Sequence, residues 1–137
     1  MINAGDIFLV DFTVTPKVYN GFTDVFGDRH PLHTNSNYAM NRGFRDKVMH
    51  GNILNGFLSY FIGECWPEQE IMILSQEIKY KRPVYLGNKL ILEAVVVDIH
   101  HSVNLTEISC KFRNKVDGKI VASAKINIGK TKVYKES

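Results

Sequence analysis

Residues 50–65 read HGNILNGFLSYFIGEC and carry a broad apolar stripe. Its members follow one another at spacings of one and three, as on one face of an α-helix; they are Ile53, Leu54, Phe57, Leu58, Phe61 and Ile62. Because proline cannot continue a helix, Pro67 sets the end of this element near Cys65. The pattern predicts a helix over 51–65, about 22 Å long, with its apolar face buried against a sheet.

Strand patterns lie on both sides of this helix. One candidate strand precedes it at 7–12, and four follow it at 71–80, 89–100, 103–113 and 119–129. The last alternates most clearly, with one apolar face made of Ile120, Ala122, Ala124, Ile126 and Ile128. Asp117-Gly118 supplies a hairpin turn before it. A strand, then helices, then a run of antiparallel strands predicts an α+β fold with helix on one face of the sheet.

The segment between the first strand and the long helix holds two shorter elements. Thr15 and Pro16 predict a helix start, with threonine as N-cap and proline in the first position, and Gly27 predicts its end. Because the residue before a proline avoids helical geometry, Pro31 predicts a turn or loop over 27–33. Thr34 is expected to cap a short helix over Tyr38, Ala39 and Met40, closed by Asn41-Arg42-Gly43.

Bulk properties predict one domain, 1–137, of ordinary size. With 45% apolar and 23% charged residues, the chain can build a core and is not of the disordered class. The net charge of +3 comes from scattered Lys and Arg, whereas nucleic-acid binding favours a concentrated basic face. The N-terminus lacks a signal-peptide pattern and no apolar run could span a bilayer, so we expect a cytoplasmic protein without membrane contact.

Metal and redox sites are not expected. Cys65 and Cys110 show no CxxC spacing, which argues against a zinc knot and a disulfide scaffold. His100 and His101 are adjacent on a strand and therefore point to opposite faces. Asp98 and Glu107 show no pattern that suggests a partner.

Candidate chemistry is concentrated around Asp28 and His33, five residues apart beside a turn. A carboxylate and an imidazole that converge can share a water molecule and transfer protons. The alternative is that both only hydrogen-bond loop backbone. Downstream, His50-Gly51 opens the long helix, where free N–H groups and partial positive charge favour a developing negative oxygen. Gly51 would let such an oxygen approach, or would only allow a tight turn into the helix.

These residues form a recognisable pattern: Gly27-Asp28, Pro31-Leu32-His33 and, after an interval, His50-Gly51. The pattern resembles the MaoC-like dehydratases, which include the (R)-specific enoyl-CoA hydratases. The resemblance continues downstream over 76–87. Two positions depart from the family pattern: His30 replaces the usual Asn before the proline, and Asn35 replaces the usual Asp after the histidine.

The resemblance implies a hot-dog fold, in which a curled antiparallel sheet wraps around helix 51–65. It also implies a homodimer or a higher even oligomer. The expected reaction is reversible hydration of a trans-2-enoyl thioester to an (R)-3-hydroxyacyl thioester. Coenzyme A or an acyl carrier would be part of the substrate, where a few positive side chains could meet its phosphates, and no metal or other cofactor is expected.

The resemblance also assigns site residues. Asp28 would activate the water, with His33 as its partner in proton delivery, and the Gly51 N–H would stabilise the thioester oxygen. The supporting loop residues would be His30, Asn35 and His50. Residues that could line an acyl pocket, or equally belong to the core, are Tyr38, Met40, Leu54, Leu58 and Trp66.

Two other functions remain open for such a chain. A hot-dog acyl-CoA thioesterase would hydrolyse the same class of ligand without needing Asp28 and His33 as a pair. A non-catalytic acyl-thioester-binding domain could keep His50-Gly51 and the helix, and the presence of both Asp28 and His33 counts against it.

Overall fold

The computed structural model describes residues 1–131. It contains five strands: β1 (Ile7–Thr13), β2 (Ile71–Tyr80), β3 (Lys89–His100), β4 (Leu105–Asn114) and β5 (Ile120–Lys130). All neighbouring strands are antiparallel, in the order β1-β3-β4-β5-β2, so β1 and β2 are the edges of one sheet. The strands predicted from sequence are therefore confirmed, with β4 beginning two residues later because a 3-10 turn occupies His101–Val103.

Four α-helices precede β2: α1 (Pro16–Phe26), α2 (Pro31–Thr34), α3 (Ser36–Asn41) and α4 (Asn52–Tyr60). The predicted ends of α1 are confirmed. The Thr15 hydroxyl accepts a hydrogen bond from the Val18 N–H, and Gly27 adopts φ 78°, a left-handed conformation that favours glycine. None of the helices in residues 1–131 is long and apolar enough to cross a bilayer.

Helix α4 lies against the sheet, which gives the hot-dog architecture. It has nine residues, too few to be stable alone in water, where isolated helices below roughly 12–15 residues are marginal. Its stability comes from burial of Ile53, Leu54, Phe57 and Leu58 against alternating core residues of β3, β4 and β5. The Phe57 ring also stacks on Phe12 of β1, with ring centroids 4.4 Å apart.

The predicted helix to Cys65 is partly wrong, because the α-helical part ends at Tyr60 and Phe61–Cys65 form a π-helical turn. The Trp66 N–H donates to the Phe61 carbonyl at 3.0 Å, which closes the wider turn. Phe61, Ile62 and Trp66 are all buried, and the Trp66 ring packs 5.1 Å from Phe8. The widened turn thus keeps three large side chains in the core before Pro67.

Two predictions for 27–36 are also wrong in detail. The loop predicted over 27–33 is present at residues 27–30 but ends there, because Pro31 occupies the first turn of α2. His30, before the proline, has φ −52° and ψ 135°, outside helical geometry. Thr34 does not cap the next helix, because its hydroxyl donates to the Arg29 and His30 carbonyls. The N-cap of α3 is Asn35, whose side-chain oxygen accepts from the Tyr38 N–H at 3.0 Å.

The alternation predicted in β5 is confirmed for Ala122, Ala124, Ile126 and Ile128, which are buried. Val121, on the opposite face, is buried as well. Its carbonyl accepts the N–H groups of Lys81 and Arg82 at 2.8 and 3.1 Å, so the segment after β2 covers it.

Candidate active site

The candidate residues of the sequence meet beside the N-terminal end of α4. Asp28 follows α1, His33 lies on α2, and His50 and Gly51 directly precede α4. A side-chain nitrogen or oxygen of Asp28, one of His33 and one of His50 all lie within 4.8 Å of one another. Three elements that are separate along the chain thus bring a carboxylate and two imidazoles into one small volume.

The His33 ring has a defined tautomer. Its Nδ1 lies 2.7 Å from the Val48 carbonyl oxygen. Because a carbonyl only accepts, Nδ1 carries the hydrogen and Nε2 of the neutral ring keeps a lone pair. The ring also stacks on His50, with centroids 3.8 Å apart and planes 24° apart. His33 therefore offers a fixed proton acceptor.

Tyr19 holds this histidine from behind, a role that sequence reasoning missed. Its hydroxyl donates to the His33 carbonyl at 2.7 Å and lies 3.2 Å from the Val48 carbonyl. Burial, with a smaller contribution from the charge of Asp46, raises the pKa of Tyr19 to about 12. The only sequence signal is a tyrosine on the apolar face of α1, where a buried hydroxyl needs an acceptor.

Asp28 presents an ionised and half-exposed carboxylate. Its Oδ1 accepts a hydrogen bond from the His30 N–H at 3.1 Å. This hydrogen bond lowers the pKa of Asp28, and the nearby His50, His33 and His30 add smaller effects in the same direction. Asp28 is therefore a carboxylate near neutral pH and can accept a hydrogen bond from water.

His50 is the buried member of the group. Its Nε2 lies 2.9 Å from the Asp28 main-chain oxygen, to which it donates, and 3.6 Å from the Asp28 Oδ2. Its Nδ1 then carries no hydrogen, and no protein partner for it exists within residues 1–131. Burial lowers the pKa of His50, and its contacts with Asp28 oppose this only in part. A neutral His50 thus fixes the backbone of Asp28.

This arrangement predicts a loss of stability in acid. Since the pKa of His50 lies below 6.5 in the folded protein, the unfolded chain binds the proton more readily, and stability falls as pH drops below about 6.5. His50→Gln keeps a donor for the Asp28 carbonyl without titrating. We expect its Tm to fall less than that of the wild type from about pH 7.5 to about pH 5. Equal slopes of Tm against pH would contradict this role of His50.

Gly51 lines a cavity of about 380 Å³ together with His33 and Leu54. Its N–H has no backbone acceptor in the described part of the chain, so it is available to a ligand. A Cβ at this position would lie 2.7 Å from the ring of Tyr80, whose hydroxyl contacts the Asn55 amide at 3.4 Å. A Cβ would therefore displace the Tyr80 ring, which is 52% exposed, whereas glycine fits beside the ring and leaves the N–H accessible.

The other predicted residues fall into two groups. His30 and Asn35 act as N-caps of α2 and α3, on either side of His33. Of the residues considered for an acyl pocket, Leu54 borders the cavity, whereas Leu58 and Trp66 lie in the core. Met40 is 55% exposed. The Arg42 guanidinium lies over the Tyr38 ring, with the guanidinium carbon 3.5 Å from the ring centroid.

A second cluster corrects a prediction about β3 and β4. Asp98 and Glu107 share a partner, His100. A register shift after Val96 places the two carboxylates opposite each other on neighbouring strands. The His100 Nε2 lies 3.6 Å from the Asp98 Oδ2 and 3.7 Å from the Glu107 Oε2. His101 starts the 3-10 turn outside this group. The side chains of Asp98, His100 and Glu107 are each more than 40% exposed. Ion pairs this exposed contribute little to the stability of the fold.

Comparison with known proteins gives consistent matches. Residues 7–120 match the MaoC-like domain family. A 3-hydroxybutyryl-CoA dehydratase of Methylorubrum extorquens is 24% identical over 90 residues, which cover 66% of this chain and 57% of the relative. An (R)-specific enoyl-CoA hydratase of Rhodospirillum rubrum is 28% identical over 78 residues, covering 57% of this chain and 54% of the relative. The chain thus spans about half the length of these curated relatives.

Among solved structures, the unliganded R-hydratase PhaJ1 of Pseudomonas aeruginosa superposes with a TM-score of 0.84. The identity is 24%, and the match covers 99% of this chain and 89% of the other. Because the identity is below 25%, the superposition shows a shared fold, the hot-dog fold, and nothing about activity.

Proposed function

Because the chain belongs to the MaoC-like domain family, we propose that it catalyses the reversible addition of water to a trans-2-enoyl thioester. The product is an (R)-3-hydroxyacyl thioester. The observation that carries the proposal is the convergence of the Asp28 carboxylate and the His33 imidazole, with atoms within 4.8 Å of each other. A thioesterase has no need of this pair, which favours the hydratase.

Both groups are suited to hold one water molecule. The Asp28 carboxylate and the His33 Nε2 are acceptors, so a water between them donates one hydrogen to each. As the water oxygen attacks C3, Asp28 takes one proton and electron density moves onto the thioester oxygen. Asp28 then releases that proton to C2, which balances the addition. His33 was expected to take part in proton delivery, but its Nδ1 hydrogen is bound to the Val48 carbonyl, so in this proposal its Nε2 holds the water instead. A carboxylate of lowered pKa starts ionised and gives the proton up readily.

The Gly51 N–H is the proposed donor to the thioester oxygen. That oxygen gains negative charge only as the reaction proceeds, so a fixed donor stabilises the transition state more than the ground state. The position at the start of α4 adds the positive end of the helix dipole. Asp28, His33 and Gly51 account for the reaction without a metal or a redox cofactor, and coenzyme A or an acyl carrier is part of the substrate.

We further propose that the chain assembles as a homodimer or a higher even oligomer. Within residues 1–131, the outer sides of the edge strands β1 and β2 pair with no further strand, and apolar residues beside them are exposed: Ile7, Leu9, Met72 and Leu74 are each more than half exposed. Sedimentation equilibrium in the micromolar range should give the mass of two chains or an even multiple. An active monomer at these concentrations would rule the assembly out.

The test of the function is a panel of trans-2-enoyl thioesters, with either coenzyme A or an acyl carrier as the thiol. Hydration removes the conjugated thioester and its absorbance. We expect this absorbance to fall to an equilibrium level, and the reverse reaction to consume (R)- but not (S)-3-hydroxyacyl thioester. Release of free thiol with no hydroxyacyl product would favour the thioesterase. Binding without any turnover would favour the non-catalytic domain.

A further inference from the structure

His30 connects the Asp28 loop to the helix that carries His33. Its N–H donates to the Asp28 Oδ1 at 3.1 Å, and its Nδ1 accepts a hydrogen bond from the Leu32 N–H, also at 3.1 Å. The second contact caps α2, a helix of four residues of which none is buried. One residue thus contacts the carboxylate through its main chain and the start of the histidine helix through its side chain.

The cap on α2 requires a neutral His30 ring. A ring nitrogen accepts a hydrogen bond only through a lone pair, so Nδ1 carries no hydrogen while it binds the Leu32 N–H. In a protonated imidazole both nitrogens are donors, and Nδ1 would then face the Leu32 N–H as donor against donor. A positive charge is also unfavourable at the start of a helix. Uptake of a proton by His30 therefore removes the cap.

Loss of the cap affects the placement of Asp28 more than that of His33. The His33 ring donates to the Val48 carbonyl, and the His33 carbonyl accepts from the Tyr19 hydroxyl, so His33 is held without the cap. The cap instead joins α2 to the preceding loop, where the His30 N–H binds the Asp28 carboxylate. Without it, the orientation of that carboxylate toward His33 is less well fixed.

We propose that His30 is a positioning residue whose protonation loosens the Asp28 loop from α2 and so slows hydration in weak acid. The inference rests on the proposed function and adds a dependence on pH that does not come from the groups that hold the water. The Thr34 hydroxyl still donates to the Arg29 and His30 carbonyls. The expected effect is therefore a shift in the population of the ordered loop and not loss of the site.

Charged and titratable groups surround the His30 ring on its own loop, on α2 and beside α3; they are Asp28, Arg29, His33, Tyr38 and Arg42. The ring centroids of His33 and Tyr38 lie 6.0 and 5.9 Å from that of His30. Among these residue types, histidine is the one that ordinarily changes its charge between about pH 5 and pH 8. The titration of His33 must therefore be separated from that of His30.

Three variants make this separation. His30→Asn supplies a side-chain oxygen that can accept the Leu32 N–H at every pH, and Asn is both a preferred N-cap residue and the usual residue of the family pattern here. His30→Ala removes the acceptor at every pH. His101→Asn makes the same exchange at an exposed histidine in the 3-10 turn after β3, and serves as the matched control.

The experiment measures kcat/KM for trans-2-butenoyl-CoA from about pH 8 to about pH 5. Protonation of His33 slows every variant, so the quantity compared is the ratio of each variant to the wild type at the same pH. The ratio for His30→Asn should rise by about fivefold toward acid, the population change that one helix cap typically provides. His30→Ala should be about fivefold slower than the wild type at the alkaline end and approach it in acid. The ratio for His101→Asn should stay constant.

The amide resonance of Leu32 in a proton–nitrogen correlation spectrum gives a readout that needs no turnover. It should move with pH in the wild type and much less in His30→Asn, because the acceptor of this N–H titrates only in the former. A constant kcat/KM ratio for His30→Asn, or a Leu32 resonance that titrates alike in both proteins, would overturn the inference and leave the hydratase intact. Failure of the proposed function has a different signature, namely that the wild type hydrates no enoyl thioester at any pH.

Discussion

Replacing Asp28 by Asn or His33 by Ala is expected to lower turnover by about 10²–10⁴-fold, the usual range for a positioned proton-transfer group. Asn cannot take a proton from water, and Ala removes the ring nitrogen that holds the water. Steady-state rates on an enoyl thioester measure the effect. The double variant should be little slower than the worse single one, because residues that act as a unit are not additive.

Two matched variants distinguish the loss of a catalytic group from the loss of a structural contact. His33→Asn keeps a donor near the position of Nδ1 for the Val48 carbonyl but has no counterpart of Nε2, and it should be as inactive as His33→Ala. Asp24→Asn removes an exposed carboxylate from α1, four residues before Asp28, and should retain wild-type turnover. Near-full activity of Asp28→Asn or of either His33 variant would show that the site is elsewhere.

A substitution of Gly51 is expected to have the second largest effect. Gly51→Val should lower turnover by about 10²–10³-fold, as loss of an oxyanion donor does at a cost of about 2.7–4 kcal/mol. The Tyr80 ring lies where the new Cβ would be. Overpacking of this kind costs typically about 1–3 kcal/mol, so thermal stability should fall together with turnover.

The double variant Gly51→Ala with Tyr80→Leu distinguishes the two roles of the glycine. Without the Tyr80 ring, the added methyl group has space and stability should largely recover relative to Gly51→Ala alone. Turnover should stay low, because the methyl group still obstructs the approach of the thioester oxygen to the N–H. Tyr80→Leu alone serves as the control. If turnover recovered along with stability, Gly51 would serve packing alone.

The parts of the fold that could be predicted are those whose signals are local. The stripe of α4, the cap at Thr15 and the alternation of Ala122, Ala124 and Ile126 each depend on residues a few positions apart. The π-helical turn at 61–65 could not be predicted, because it depends on Trp66 reaching the core beside Phe8. The same holds for Asp98 and Glu107, which meet only through a register shift between strands.

The residues of the candidate site also fall into those that the sequence predicts and those that it does not. A motif with fixed spacing identifies Asp28, His33 and His50-Gly51 from the amino-acid sequence alone. Tyr19 behind His33, and Tyr80 over Gly51, are contacts between segments far apart in the chain. The sequence places Tyr19 on the apolar face of α1 and Tyr80 at the end of a strand, but it does not show that either side chain reaches the site.

The most direct measurement is the mass of the product formed from trans-2-butenoyl-CoA in water enriched with oxygen-18. We predict an intact coenzyme A thioester that has gained one water, with the heavy oxygen at C3. We also predict that Asp28→Asn forms this product at no more than about one hundredth of the wild-type rate. Heavy oxygen in a free carboxylic acid with release of coenzyme A, or recovery of unlabelled substrate alone, would contradict the hydratase mechanism.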